Sequence, residues 1–104
     1  MGIDVAWVDE RHDPKLEVFD PRQLLARLAT SRWPQLSTSV CLRFVLPWSD
    51  AVFNQAQVPE LLHELRGEVA ECRDAETRVH LEKVVRLVEC AANQTRTYIK
   101  FIGD

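Results

Sequence analysis

The period of the apolar residues changes along this chain, and that change limits its fold more than any other feature. Ile3, Val5 and Trp7 alternate with Asp4, Ala6 and Val8, and Arg96 to Ile102 alternates in the same way near the other end. A period of two belongs to strands that bury one face. From Val58-Pro59 the repeat becomes helical, with Leu62, Leu65, Val69 and Cys72 on one face and Glu60, Glu64 and Glu68 on another. Past Arg73, Asp74 can cap a second helix whose Leu81, Val84, Val85, Val88, Ala91 and Ala92 make a wide apolar face. Two helices joined so closely fold back on each other as an antiparallel hairpin.

The intervening segments fill in the rest. A polar turn containing Pro14 precedes Leu16-Glu17-Val18-Phe19, which predicts a second strand pairing with the first. Asp20-Pro21 is a helix start, and Leu24, Leu25 and Leu28 carry that helix to Thr30. Trp33-Pro34 ends it in a loop, where Trp33 either lies on the surface or covers the core. Val40, Leu42 and Phe44 alternate with Cys41, Arg43 and Val45, predicting a third, central strand that stops at Pro47. Ala51-Val52-Phe53 reads equally as a brief strand or a connection. The fold class is α+β: a mostly antiparallel sheet of about four strands packed against one helix and a C-terminal helical hairpin, in a single domain over 1–104.

Composition narrows the function. A hydrophobic fraction of 46% with 28% charged residues is that of a folding chain. The formal net charge is -3, and the basic residues are dispersed among acids, so no stripe suits a phosphate backbone and nucleic acid is not expected as a partner. The N-terminal residues lack a basic and apolar secretory leader, and no apolar run spans a bilayer; the expectation is a cytoplasmic protein with no membrane contact. Cys41, Cys72 and Cys90 are an odd set without C-x-x-C spacing, which argues for free thiols over a disulfide framework or a zinc knuckle.

Few residues carry chemistry. Asp9-Glu10-Arg11-His12-Asp13 reads as a solvated turn, because consecutive side chains rarely converge on one metal. His63 and His80 lie on the two hairpin helices without an H-E-x-x-H motif and read as partly exposed. Cys41 sits in an apolar pattern unsuited to a reactive thiolate. Gly2, Gly67 and Gly103 open no phosphate-binding turn. No catalytic residues, metal ligands or cofactor are assigned, and an enzyme is the less favoured class.

The unusual segment is Pro47 to Gln55, which sets Trp48 and Phe53 among polar residues and Asp50. Aromatic anchors on loops suit protein recognition, so Trp48, Asp50, Phe53 and Trp33 are the candidate partner-binding residues. The competing reading folds Trp48 and Phe53 inward to seal the sheet edge. A different class, a small ligand-binding domain or enzyme, would need a pocket between sheet and helices gathering Arg43, Asp50, His63 and Tyr98. A homodimer through an exposed strand or the helical hairpin is compatible with either class.

Cys41-Leu42-Arg43-Phe44, Pro47, Asp50, Val52-Phe53-Asn54 and the ending Tyr98 to Asp104 resemble small uncharacterised bacterial proteins, some of them immunity partners of secreted toxins. The resemblance covers roughly the last two thirds of the chain. It implies a cytosolic, acidic, non-catalytic protein that binds a toxin domain as an immunity or antitoxin-like inhibitor, with no contact residues carried over.

Overall fold

The computed structural model describes residues 2–103. Four strands form one antiparallel sheet: β1 (Asp4–Asp9), β2 (Pro14–Val18), β3 (Ala51–Asn54) and β4 (Thr97–Ile102), in the order β2-β1-β4-β3. Three helices, α1 (Leu24–Ser31), α2 (Val58–Glu71) and α3 (Ala75–Ala91), complete an α+β fold, with α2 and α3 packed as the expected hairpin. The register sets Val5 beside Phe101 and Trp7 beside Ile99, while Phe53 of β3 lies beside Ile99 from the other side. Those residues face the helices, and Leu61, Leu65, Leu81, Val84 and Val88 close the core over them. Phe53 meets Phe101 edge to face, with ring centroids 5.8 Å apart.

Helix starts follow side-chain chemistry. Asp74 accepts the amide of Thr77 at 2.9 Å, capping α3 as its position in the sequence predicts. Asp20 also serves a helix start, although α1 begins later than Pro21 suggests, at Leu24. Its buried carboxylate accepts the amides of Leu24, Leu25 and Ala26 at 2.7, 3.1 and 3.2 Å, and that of Ile3 at 2.9 Å. One side chain thereby ties α1 to the residue leading into β1 and satisfies three amides that a helix start leaves unpaired.

The third strand expected at Val40 to Val45 does not form; a short 3-10 helix, Leu42–Phe44, takes its place. Glu64 of α2 is the reason. Its carboxylate accepts the amides of Val40, Cys41 and Leu42 at 2.8, 3.2 and 2.9 Å and the Ser39 hydroxyl at 2.7 Å. Three consecutive amides aimed at one carboxylate cannot also alternate across a sheet ladder. The fourth strand is instead Ala51–Asn54, at the sheet edge.

A second carboxylate fixes the preceding loop. Glu68 is buried and receives a bidentate Arg32 guanidinium, with Nε to Oε1 at 2.9 Å and an amine nitrogen to Oε2 at 2.9 Å, together with the Trp33 indole Nε1 to Oε1 at 2.6 Å. Helical spacing alone places Glu64 and Glu68 on a polar face. They face the 32–42 segment and hold it down.

Candidate protein-contact surface

The segment from Val40 to Val52 is pinned at both ends and turns part of its apolar side chains outward. Cys41, Leu42 and Val45 are buried beneath Glu64's anchor, which leaves Val40 and Phe44 on the solvent side. Past Pro47 the backbone of Leu46 and Ser49 lies so close to Gly103 that a β-carbon there would come within 2.5 Å of the Ser49 carbonyl and 2.6 Å of the Leu46 carbonyl. Glycine at 103 therefore lets the loop rest on the end of β4. Trp48 projects from this supported loop at 67% exposure, Phe44 stands at 60%, and Val52 on β3 remains 43% exposed. The Arg43 guanidinium lies 5.2 Å from the Phe44 ring centroid, a cation–π contact at the surface. Asp50 sits next to this aromatic surface, 3.7 Å from Lys100 Nζ.

Of the four residues assigned to partner contact, two hold surface positions and two do not. Trp48 and Asp50 are exposed. Trp33 is fully buried and bonded to Glu68, so it presents nothing to a partner. Phe53 turns into the core against Phe101 because alternation along β3 puts it on the helix side. Phe44 and Val40, which strand alternation would have paired inside a sheet, join the surface in their place.

Arg43, Asp50, His63 and Tyr98 do not converge on a pocket. Arg43 covers Phe44, and Asp50 pairs with Lys100. Tyr98 stacks on His12 with centroids 5.8 Å apart. His63 lines a separate cleft between α2 and the 36–42 segment, with Glu60, Glu64 and Ser39.

A groove of about 710 Å³ lies elsewhere, between the end of β2, the start of α1 and the first turns of α3. Val18, Phe19, Leu24 and Val79 line it with Arg22, Glu76, His80 and Lys83. His80, expected to be partly exposed, is a buried side chain at 9% exposure. Its Nε2 is 3.6 Å from Asp20 Oδ1 and has no hydrogen-bond partner among the described residues. Burial holds its pKa below the ordinary value of 6.5, helped by Lys83 and opposed by Asp20 and Asp4.

Asp9 Oδ1 accepts the amides of Arg11 and Asp13 at 2.9 and 3.0 Å, making Asp9 to Asp13 a turn. Among the described residues, no group of three or more His, Cys, Asp or Glu side chains could hold a metal, and no helix is long and apolar enough to cross a membrane. Burial, with Glu64 and Glu60 nearby, pushes the Cys41 thiol up to about 11, which suppresses the nucleophilic thiolate. Comparison with family models, curated proteins and solved structures gave no match.

Proposed function

We propose that this domain works by binding a protein partner and not by catalysis, with Trp48 and Phe44 as its anchors. One observation carries the reading: two aromatic rings stand at 67% and 60% exposure on a segment whose backbone is held by Glu64 and Gly103. A rigid support matters, because an anchor already in place loses little conformational freedom when a partner covers it. The resemblance of this same segment to bacterial proteins that include immunity partners supports a secreted toxin domain as the partner, inhibited in the cytoplasm. A net charge of -3 would speed encounter with a basic domain. The test is binding of a candidate toxin domain to wild type and to Trp48→Ala, each checked for unchanged thermal unfolding. Equal affinity in the two proteins would remove Trp48 from the interface.

A second reading, a small ligand-binding domain, is favoured by one observation: the unpartnered Nε2 of His80 beside the 710 Å³ groove. Such a volume suits a small organic molecule. Titration with phenylacetate, followed by backbone amide resonances, would shift Phe19, Val79 and His80 if the groove takes an apolar carboxylate. No shift at millimolar concentration would set that ligand aside.

A further inference from the structure

The two edges of the sheet are not alike. β2 begins with Pro14, continues with Lys15, and shifts register against β1 between Trp7 and Val8. Proline, an edge lysine and a bulge are three separate devices that stop another strand from adding to a sheet. β3 has none of them: Ala51-Val52-Phe53-Asn54 is uncharged, proline-free and in continuous register with β4.

The peptide groups on the outer side of β3 can be identified. The Asn54 amide donates to the Gln57 side chain Oε1 at 2.8 Å and not to a strand. Peptide groups along an antiparallel strand point alternately to its two neighbours. The peptide groups of Val52 therefore face the same open side as that amide, and the Val52 side chain itself is 43% exposed.

We infer that a second copy of this chain pairs with the β3 edge, antiparallel about a two-fold axis centred on Val52, joining two four-stranded sheets into one. In that register Val52 exchanges both main-chain hydrogen bonds with its counterpart, Ala51 lies opposite Phe53, and Asp50 lies opposite Asn54. No like charges meet, and the Asp50 carboxylate lies opposite the Asn54 side chain of the other copy, whose Nδ2 can donate to it. Self-pairing needs a strand that complements itself: β3 carries no charge to repel its copy, and the flanking Asp50 meets the neutral Asn54. This surface adjoins the Trp48 loop but does not depend on it.

The register makes the test specific. Opposed residues of a hydrogen-bonded pair at the axis have Cα atoms about 5.5 Å apart, within the roughly 4.4–6.8 Å span of a disulfide. Two Asn54 residues in that register would lie about 14 Å apart, beyond reach. In a Cys72→Ser, Cys90→Ser background, mild oxidation should cross-link Val52→Cys into dimers and leave Asn54→Cys monomeric. Sedimentation velocity of the wild-type chain should show concentration-dependent dimers, weakened at least tenfold by Val52→Lys and unchanged by Leu16→Lys on the opposite edge. Circular dichroism confirms that each variant folds. A wild-type chain that stays monomeric at millimolar concentration, or dimers that survive Val52→Lys, would overturn the pairing.

Discussion

The Glu64 carboxylate of α2 lies 2.8 Å from the amide nitrogen of Val40, twenty-four residues earlier, and accepts the next two amides as well. That contact decides what the middle of the chain becomes. It converts an apolar run with strand periodicity into a fixed irregular segment whose outward side chains include Phe44.

Loss of that carboxylate should therefore loosen the surface as well as the fold. Glu64→Ala leaves three amides and the Ser39 hydroxyl without their acceptor, at a cost of about 1–3 kcal/mol in urea unfolding. The effect is also pH-dependent. Burial raises the Glu64 pKa, but the hydrogen bonds from Leu42, Ser39, Val40 and Cys41 outweigh it and hold the carboxyl below its ordinary 4.5. A lowered carboxylate pKa contributes stability that is full above 4.5 and is lost as pH falls through the folded value. Glu64→Gln should flatten the acid limb of stability against pH; an unchanged limb would place the titration elsewhere.

Glu68 supports the neighbouring loop through a different pair of donors. Glu68→Ala strands the Trp33 indole N–H in the core and frees the partly exposed Arg32, so a destabilisation of about 2–3 kcal/mol is expected. Trp33→Phe removes one donor and keeps an aromatic ring there, and should cost less. Chemical denaturation of both variants checks the order.

His80 gives stability a second pH dependence, in a higher range. Its folded pKa lies below the ordinary 6.5, so the unfolded chain takes up the proton first. Stability is full above about 6.5 and declines as pH falls toward the folded value. Unfolding free energies measured between pH 8 and 5 should decline for wild type more than for His80→Asn. Parallel curves for the two proteins would contradict this assignment.

The cysteines should separate by reactivity. Cys90 is exposed, whereas Cys41 is buried with its thiol raised to about 11. Iodoacetamide at pH 8 should modify Cys90 in the folded protein and reach Cys41 only on unfolding, as peptide mass mapping would show.

The pattern of what the sequence revealed has a physical basis. Ile3 to Val8 and Thr97 to Ile102 alternate because each buries one strand face, and the hairpin helices repeat because each buries one stripe. Both signals are local, and so is the Asp74 cap. The failures at Val40 to Val45, Trp33 and His80 share a different cause. Each is decided by parts of the chain distant in sequence: Glu64 for the first, Glu68 for the second, and for His80 the packing of α3 beside the start of α1, next to Asp20. Periodicity holds no trace of those pairings. The surface was half legible for the same reason: Trp48 and Asp50 follow from turn chemistry, while Phe44 reaches solvent only because Glu64 prevents a strand.

Trp48 is the residue on which the binding reading rests, and its exposure separates binding from folding. Calorimetric titration of the wild-type domain with a purified candidate toxin domain, repeated with Trp48→Ala, is the most direct measurement. Saturable binding that weakens by about 2 kcal/mol, roughly thirtyfold, in a variant whose stability stays within about 0.5 kcal/mol of wild type is the expected result. Absence of binding by the wild type, or identical affinity in both proteins, would contradict a partner surface built on Trp48.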